Sequence, residues 1–370
     1  MNILFLLQDT GRLYGAEQAT LDLATRLQQE PGCNPSFLLI GETRLNQPTH
    51  DLQQQLEERG IPFHTHAVAH PFSFSLIRAI RRHLKAQGPS ILHCTGYKAN
   101  LHGLLAAAST DIPLVSTVHG WLNRPDPKER FYAWIDLQCL KRFDRVIALS
   151  SYYRDFLLQH DIPTQRLRLV HSPLPPGRNN LGRDAVPSVL SLGTLGRLST
   201  EKNQHLLLQA FQLLRERDPA TAARICLLIA GDGPEKDALQ QFIHEHKLAD
   251  AVTLAGFMPR DEFFRAIDVF ILCSRIENFP LSILEAIAAH KPCIATRVGG
   301  IPDQLDDQSA LLVPSDDPEA LAGALAQAVH HPERLATLAH RALEKAQRDF
   351  SEQAWIQAHL QLYRELETTA

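Results

Sequence analysis

At 370 residues the chain is too long for one ordinary domain and suits two. Hydrophobic residues at 44% and charged residues at 21% match a soluble globular protein and exclude disorder, collagen or coiled coil as the main architecture. Lys+Arg 37 against Asp+Glu 41 leaves −4, which argues against a strongly basic nucleic-acid binder. No apolar run approaches the roughly 18 residues of a membrane-spanning helix.

Met1-Asn2-Ile3-Leu4-Phe5-Leu6-Leu7 lacks a basic start and reads as a buried first strand rather than a signal peptide. Short apolar runs then alternate with longer amphipathic stretches. The spacing predicts strands at Ile3–Leu7, Phe37–Ile40, Phe63–His66, Ile91–His93, Leu114–Val118, Arg145–Leu149 and Leu167–Val170. Helix-like stretches between them include Gly15–Gln28, Thr49–Arg59, Phe74–Gln87 and Lys98–Ala108. Strand, helix, strand in repetition implies a mostly parallel sheet covered by helices. A stretch rich in Pro, Gly and Asn, Pro173 to Gly182, reads as a linker. The alternation then restarts, with strands at Ser188–Leu192, Arg224–Ala230, Val252–Leu254, Val269–Leu272, Cys293–Thr296 and Ala310–Val313, and a last helix at Glu352–Leu366. The fold class is therefore α/β, with two Rossmann-like parallel-sheet domains facing a central cleft. The six cysteines are scattered without a C-x-x-C pair, which points to buried thiols in a reducing compartment, not to disulfides or zinc.

In open α/β sheets the chemistry sits in the loops beyond the carboxyl ends of the strands. The first such loop, Asp9 to Glu17, carries Gly11 and Gly15 before a helix start, where backbone can approach an anion. His119-Gly120 follows the strand Leu114–Val118. Gly196-Arg197 through Lys202-Asn203 places two cations at a helix start, a setting that suits a diphosphate. Gly231-Asp232-Gly233-Pro234 reads as a tight turn. The most specific stretch runs from Glu277 through Asn278, Phe279, Pro280 and Leu281 to Glu285. Pro280 is a good first-turn residue, so Glu277 lies in the loop and Glu285 about one and a half turns into the helix. Two carboxylates so placed can accept hydrogen bonds from sugar hydroxyls, and free N–H groups between them can hold a phosphate. A general acid–base pair of the glycosidase type is the competing reading.

Together these segments resemble the group 1 (family 4) retaining glycosyltransferases of GT-B fold, over nearly the whole chain. Glu277 to Glu285 resembles that family's E-x7-E motif, with Asn278 where Gly is usual. The Gly196–Asn203 segment is similar to its phosphate-binding loop. Tyr14-Gly15-Ala16-Glu17 resembles its Gly-Gly-x-Glu loop, with Tyr14 for the first Gly, and Thr117–Gly120 resembles its His segment. The family's Asn-Gly before the linker is replaced by His171-Ser172-Pro173.

The resemblance implies roles for these positions. Arg197 and Lys202 would neutralise the leaving diphosphate, with Gly196 in the same loop and Gly15 approaching the donor phosphate. Glu277 would bind donor-sugar hydroxyls beside Asn278, and Phe279 and Leu281 would offer N–H groups where Pro280 has none. Glu285 would bind the ribose, the backbone at Met258 the base, and His119 the donor sugar near the reacting carbon. The catalytic set is then His119, Arg197, Lys202 and Glu277. It implies a nucleotide-diphosphate sugar donor, UDP- or GDP-linked, with no metal, because no D-x-D stands at a strand end. The implied activity is hexosyl transfer with retention to a glycan, lipid-linked or small-molecule acceptor, in cell-surface polysaccharide or glycolipid biosynthesis. An epimerase or phosphorylase on the same scaffold, or a non-catalytic nucleotide-sugar-binding protein, are the alternatives.

The expected division is an acceptor-binding domain 1–174, a linker 175–187, a nucleotide-sugar domain 188–350, and a helix 351–370 that crosses back to the first domain. Phe74–Gln87 repeats apolar residues at helical spacing beside Arg78, Arg81, Arg82 and Lys85. It reads either as a surface helix packed on the sheet or as a peripheral contact with an anionic membrane. The expected location is the cytoplasm, including the inner face of its membrane.

Overall fold

The computed structural model describes residues 1–43, 50–70, 72–120, 127–177 and 188–368. It divides into two compact units, one built from Met1–Ser172 and Gln353–Ala370, the other from Pro173–Glu352. Residues 178–187 of the expected linker, and Thr49 of the second expected helix, lie outside the described residues.

The first unit holds β1 (Asn2–Asp9), β2 (Asn34–Glu42), β3 (Phe63–Val68), β4 (Ile91–Thr95), β5 (Leu114–Val118), β6 (Arg145–Ala148) and β7 (Leu167–Leu169). They pair in the order β3-β2-β1-β4-β5-β6-β7, parallel throughout. The second unit holds β8 (Leu190–Leu195), β9 (Ile225–Ala230), β10 (Val252–Gly256), β11 (Val269–Leu272), β12 (Cys293–Thr296) and β13 (Leu311–Val313). Their order is β10-β9-β8-β11-β12-β13, again all parallel. In each sheet the order reverses beside the first strand, between β1 and β4 and between β8 and β11. Ligands of doubly wound sheets bind at that reversal.

The central strands are buried on both faces, so they read as continuous apolar runs. β4, β5, β11 and β12 are buried at every residue. The strand expected at Ser188–Leu192 instead runs Leu190–Leu195. Gly193 looks like the start of a loop, yet it is a strand residue. A Cβ there would meet Ile267 at 2.3 Å and Phe263 at 2.9 Å, so only glycine lets the helix Arg260–Ala266 pack this close.

The helices Gly15–Gln28 and Phe74–Gln87 have the expected bounds. Ser73 Oγ accepts from the Leu76 N–H and caps the second of these, and Gly88, at φ +52°, ends it by donating to the Leu84 carbonyl at 2.9 Å. Its face of Leu76, Ile77, Ile80 and Leu84 is buried. Burying each such side chain contributes about 1.5–3 kcal/mol before ordering entropy is subtracted. The patterning left the helix Pro127–Leu140 unread, because it mixes aromatics and charges without a clean apolar stripe.

The last helix, Glu352–Glu367, packs into the first unit from Gln353 onward. Its Tyr363 hydroxyl lies 2.7 Å from His93 Nδ1, and His93 Nε2 lies 2.8 Å from Thr117 Oγ1. All three are buried on the sheet. Glu365 adds ion pairs to Arg145 and Arg168 at 3.4 and 3.3 Å. The six cysteines are free, and five of them are buried.

Candidate functional site

The second unit gathers most of the expected site residues at the carboxyl ends of its strands. Gly196 follows β8, and the loop runs through Arg197 to Asn203, whose left-handed backbone (φ +52°) starts the helix Gln204–Arg217. Arg197 is exposed. Lys202 reaches across to the loop after β11 and places Nζ 2.6 Å from Glu277 Oε1. Ser274 Oγ donates to the same oxygen at 2.7 Å. Glu277 is buried, so its charge is held by one ammonium and one hydroxyl rather than by water.

Backbone packing fixes these loops. A Cβ on Gly231, after β9, would stand 1.8 Å from the Gly196 carbonyl oxygen. A Cβ on Gly299, after β12, would stand 1.7 Å from the Glu277 carbonyl oxygen, and Gly299 sits at φ +51°. Hydrogen bonds follow the same contacts, from Gly196 N–H to Ala230 O at 3.0 Å and from Gly300 N–H to Glu277 O at 3.3 Å. Four strand-end loops are thus pressed together in two pairs, after β8 and β9 and after β11 and β12, and the Lys202–Glu277 contact joins the pairs.

The helix Leu281–Ala288 starts on Pro280, and no side chain caps it. Its first N–H groups and dipole favour an anion. Asn278 and Phe279 are buried, with the Phe279 ring edge-on to Phe350 at 5.4 Å. Glu285, on the same helix, is paired with Arg260 Nε at 2.9 Å. Arg260 opens the helix that follows Met258-Pro259, so the Met258 loop and the Glu285 carboxylate are linked through it. Met258 is half-buried beside the largely exposed Phe257.

Gly15 and His119 lie in the first unit, separately from this cluster. Gly15 is the exposed first residue of its helix. Two residues on, Glu17 is buried and accepts from Thr10 Oγ1 at 2.9 Å. Burial pushes its carboxyl above the usual carboxylate range. Both ends of this loop border a cavity of about 260 Å³ at the carboxyl ends of β1, β4 and β5. Glu17, Tyr97, Asn100, His119 and Asp136 are among its lining residues. Asn100 donates to Asp136 at 2.7 Å and accepts from Ser116 at 2.9 Å. His119 is half-buried, and desolvation lowers its pKa to about 4, so the ring is neutral at physiological pH. The lining offers hydroxyls, amides, carboxylates and an aromatic face, the groups that hydrogen-bond and stack on a polyol.

Two family models match the chain. Residues 190–348 fit "Glycosyl transferases group 1", and residues 14–178 fit "Glycosyltransferase Family 4". The D-inositol 3-phosphate glycosyltransferase of Saccharomonospora viridis is 32% identical over 307 residues, which cover 74% of this chain and 70% of that protein. The chain is a group 1, family 4 glycosyltransferase. The putative colanic acid biosynthesis glycosyltransferase WcaL of Escherichia coli is 29% identical over 58% of this chain and 55% of its own length. A crystal structure of Anabaena Alr3699/HepE in complex with UDP and glucose shares the fold at TM-score 0.81, with 21% identity over 99% of this chain and 100% of that one. The two parallel-sheet units of the glycosyltransferase are therefore those of the GT-B fold.

Sequence reasoning missed two members of the transferase's second-unit cluster. Ser274 directly precedes the motif, yet nothing in its spacing shows that its hydroxyl turns to Glu277. Arg260 stands two residues beyond Met258, and a cation next to that expected site residue was the available signal.

Proposed function

We propose that the second unit binds a nucleotide-diphosphate sugar, UDP- or GDP-linked, and that a hexose-type sugar passes from it to an acceptor held in the cavity of the first unit. The observation that carries this reading is the Lys202–Glu277–Ser274 cluster beside the uncapped helix start at Leu281, with Glu285 on the same helix. The diphosphate would take the Lys202 ammonium, the exposed Arg197 and the N–H groups at the helix start. Those donors stabilise the negative charge that develops as the nucleotide leaves, so no metal is required by this account. Glu277 would then accept from donor-sugar hydroxyls, with Asn278 and the backbone of Phe279, Pro280 and Leu281 shaping that end. Glu285 would accept from the ribose, with Met258 at the base. Gly196 keeps its loop close, and Gly15 is the approach point on the first unit. A neutral His119 donates or accepts a hydrogen bond near the reacting carbon without adding a like charge beside the cations.

The crystal structures of Alr3699/HepE with UDP and with UDP-glucose support a UDP-linked donor. Retention of configuration, a glycan or lipid-linked acceptor, and a role in cell-surface polysaccharide or glycolipid synthesis complete the reading. The enzyme would work in the cytoplasm and touch the inner face of the membrane through the helix Phe74–Gln87.

The experiment is nucleoside diphosphate release from UDP- and GDP-sugars, with and without acceptor extracts. Glu285→Ala and Lys202→Ala should each lower release by about a hundredfold or more at a temperature where both variants remain folded. Near-normal release by either variant removes that residue from the donor site, and no release from any sugar nucleotide defeats the donor assignment.

A further inference from the structure

Three neighbouring helices of the first unit, Phe74–Gln87, Tyr97–Ala107 and Pro127–Leu140, pack side by side. Arg81 ties the first pair by donating to the carbonyls of Leu105 and Ala106. Their outer surface is unusual in two ways. First, it exposes large apolar side chains: Phe74 is 71% exposed, Trp134 56%, Phe131 55% and Leu105 38%. Phe131 and Trp134 stack on each other with centroids 6.0 Å apart, and Phe72 stands edge-on to Phe74 at 5.0 Å. Between the second and third helices runs an apolar groove walled by Leu101, Leu104, Leu105, Trp134 and Ile135. Second, the same helices are strongly basic. Arg78, Arg82, Lys85, Lys128 and Arg130 are exposed and Arg81 is half-buried. The acids on these helices are Glu129, half-buried, and Asp136, buried. The chain as a whole carries −4, so this face runs against the balance of the molecule.

We infer that this three-helix face is a docking surface for an anionic lipid bilayer, with the groove and the Phe131–Trp134 pair entering the headgroup boundary and the arginines and lysines pairing with lipid phosphates. The inference rests on the reading above for the enzyme's place at a membrane. It moves the centre of contact from one helix to the seam between the second and third, where the apolar surface is continuous. A face that is apolar in the middle and cationic at its edge matches the two layers of an anionic surface, acyl chains below and phosphates around. Aromatic rings suit that boundary because one end is apolar and the other tolerates water. A protein partner of the same footprint is the competing occupant. Among the described residues the exposed charges of these three helices are all cationic, which favours a dense sheet of phosphates over a mixed-charge protein surface.

The test is co-sedimentation of the full chain with phosphatidylcholine vesicles, with and without phosphatidylglycerol, at low and high salt. The wild type should bind the anionic vesicles, leave them as salt rises, and ignore neutral ones. Arg78→Gln/Arg82→Gln should weaken partition by about 25-fold, roughly fivefold for each lost cation. Phe131→Ser/Trp134→Ser should also release the protein from vesicles, and both variants should keep the wild-type melting shift with nucleotide diphosphate. Should the aromatic variant melt early, the exposed arginine pair carries the test alone. The inference fails if anionic vesicles do not bind the wild type, or if both variants bind as it does. It fails equally if the aromatic change abolishes a concentration-dependent self-association while leaving vesicle binding intact. Because sedimentation needs no sugar nucleotide, its failure leaves the donor assignment standing, and the reverse holds too.

Discussion

Lys202 and Glu277 hold each other before any ligand arrives. A buried carboxylate that lost its ammonium would keep only the Ser274 hydroxyl at Oε1, an arrangement that costs more than an exposed pair does. A double-mutant cycle with Lys202→Met and Glu277→Gln in the ligand-free enzyme should therefore show a coupling of about 1 kcal/mol or more. Additive effects would mean the pair is held apart in solution. Arg260 makes a second such prediction. It fixes Glu285 in one orientation, so Arg260→Ala should weaken UDP binding by roughly tenfold, the loss of one charge-assisted hydrogen bond. Titration calorimetry reads this directly. The same variant should lose discrimination between UDP and its 2′-deoxy analogue if Glu285 reads the ribose, while a merely structural arginine would leave that ratio unchanged. The motif residues Glu277 and Glu285 were legible because their spacing on a loop and a helix is local. Lys202 was legible from its place at a helix start, but its pairing with Glu277 was not, nor was that of Arg260 with Glu285, because both reach across through the order of the sheet. Ser274 was missed although it lies in the same loop as Glu277.

Among the elements, strands were easier to read than the joints between loops. Central strands are largely apolar because a parallel sheet is covered on both faces, so β5, β11 and β12 were legible to the residue. β8 was not, since Gly193 reads as a turn residue although packing against Phe263 explains it. The helix Pro127–Leu140 escaped because its exposed aromatics break the expected stripe. Gly299 shows what the loop packing contributes. Gly299→Ala would bring a methyl against the Glu277 carbonyl and strain a left-handed backbone. We expect at least about 1 kcal/mol lost in stability and weakened UDP binding, since Glu277 must shift. Gly323→Ala is the control. That glycine lies in the helix Pro318–His330 with nothing within 4 Å of its Cβ position, so the change should stabilise by about 0.5–1 kcal/mol. Equal melting temperatures for the two variants would show that the loops are not pressed together as described.

At the scale of the whole molecule the two units should respond differently to acid. His93 and His359 are buried together on the first sheet, and burial pushes His359 down to about 4 and holds His93 well below the usual histidine range. His83, His102 and His119 are lowered too, and all five belong to the first unit. His93, His119 and His359 stay neutral in the fold while the unfolded chain takes up a proton near pH 6.5. Between pH 6.5 and about 4 the unfolded state therefore binds more protons, and stability falls as pH falls. Each fully buried histidine contributes up to about 1.4 kcal/mol per pH unit. The raised carboxyl of Glu17 acts in the opposite sense and offsets part of this. Calorimetry from pH 7 to 5 should show one transition, the first unit's, moving down faster than the other. Parallel shifts would contradict the buried neutral pair. The parallel α/β character of both sheets, unlike this acid sensitivity, followed from strand alternation, while the strand order of each did not.

The central claim is that the second unit binds a nucleoside diphosphate through Lys202 and Glu285. The most direct measurement is a thermal-shift titration with UDP, GDP, ADP and CMP, run on the wild type, Lys202→Ala and Glu285→Ala. A ligand at a hundredfold its Kd stabilises the fold by about 2.7 kcal/mol, a shift of several degrees. UDP or GDP should raise the wild-type melting temperature, and both variants should lose the shift. No shift with any diphosphate, or a full shift retained in both variants, would contradict the claim.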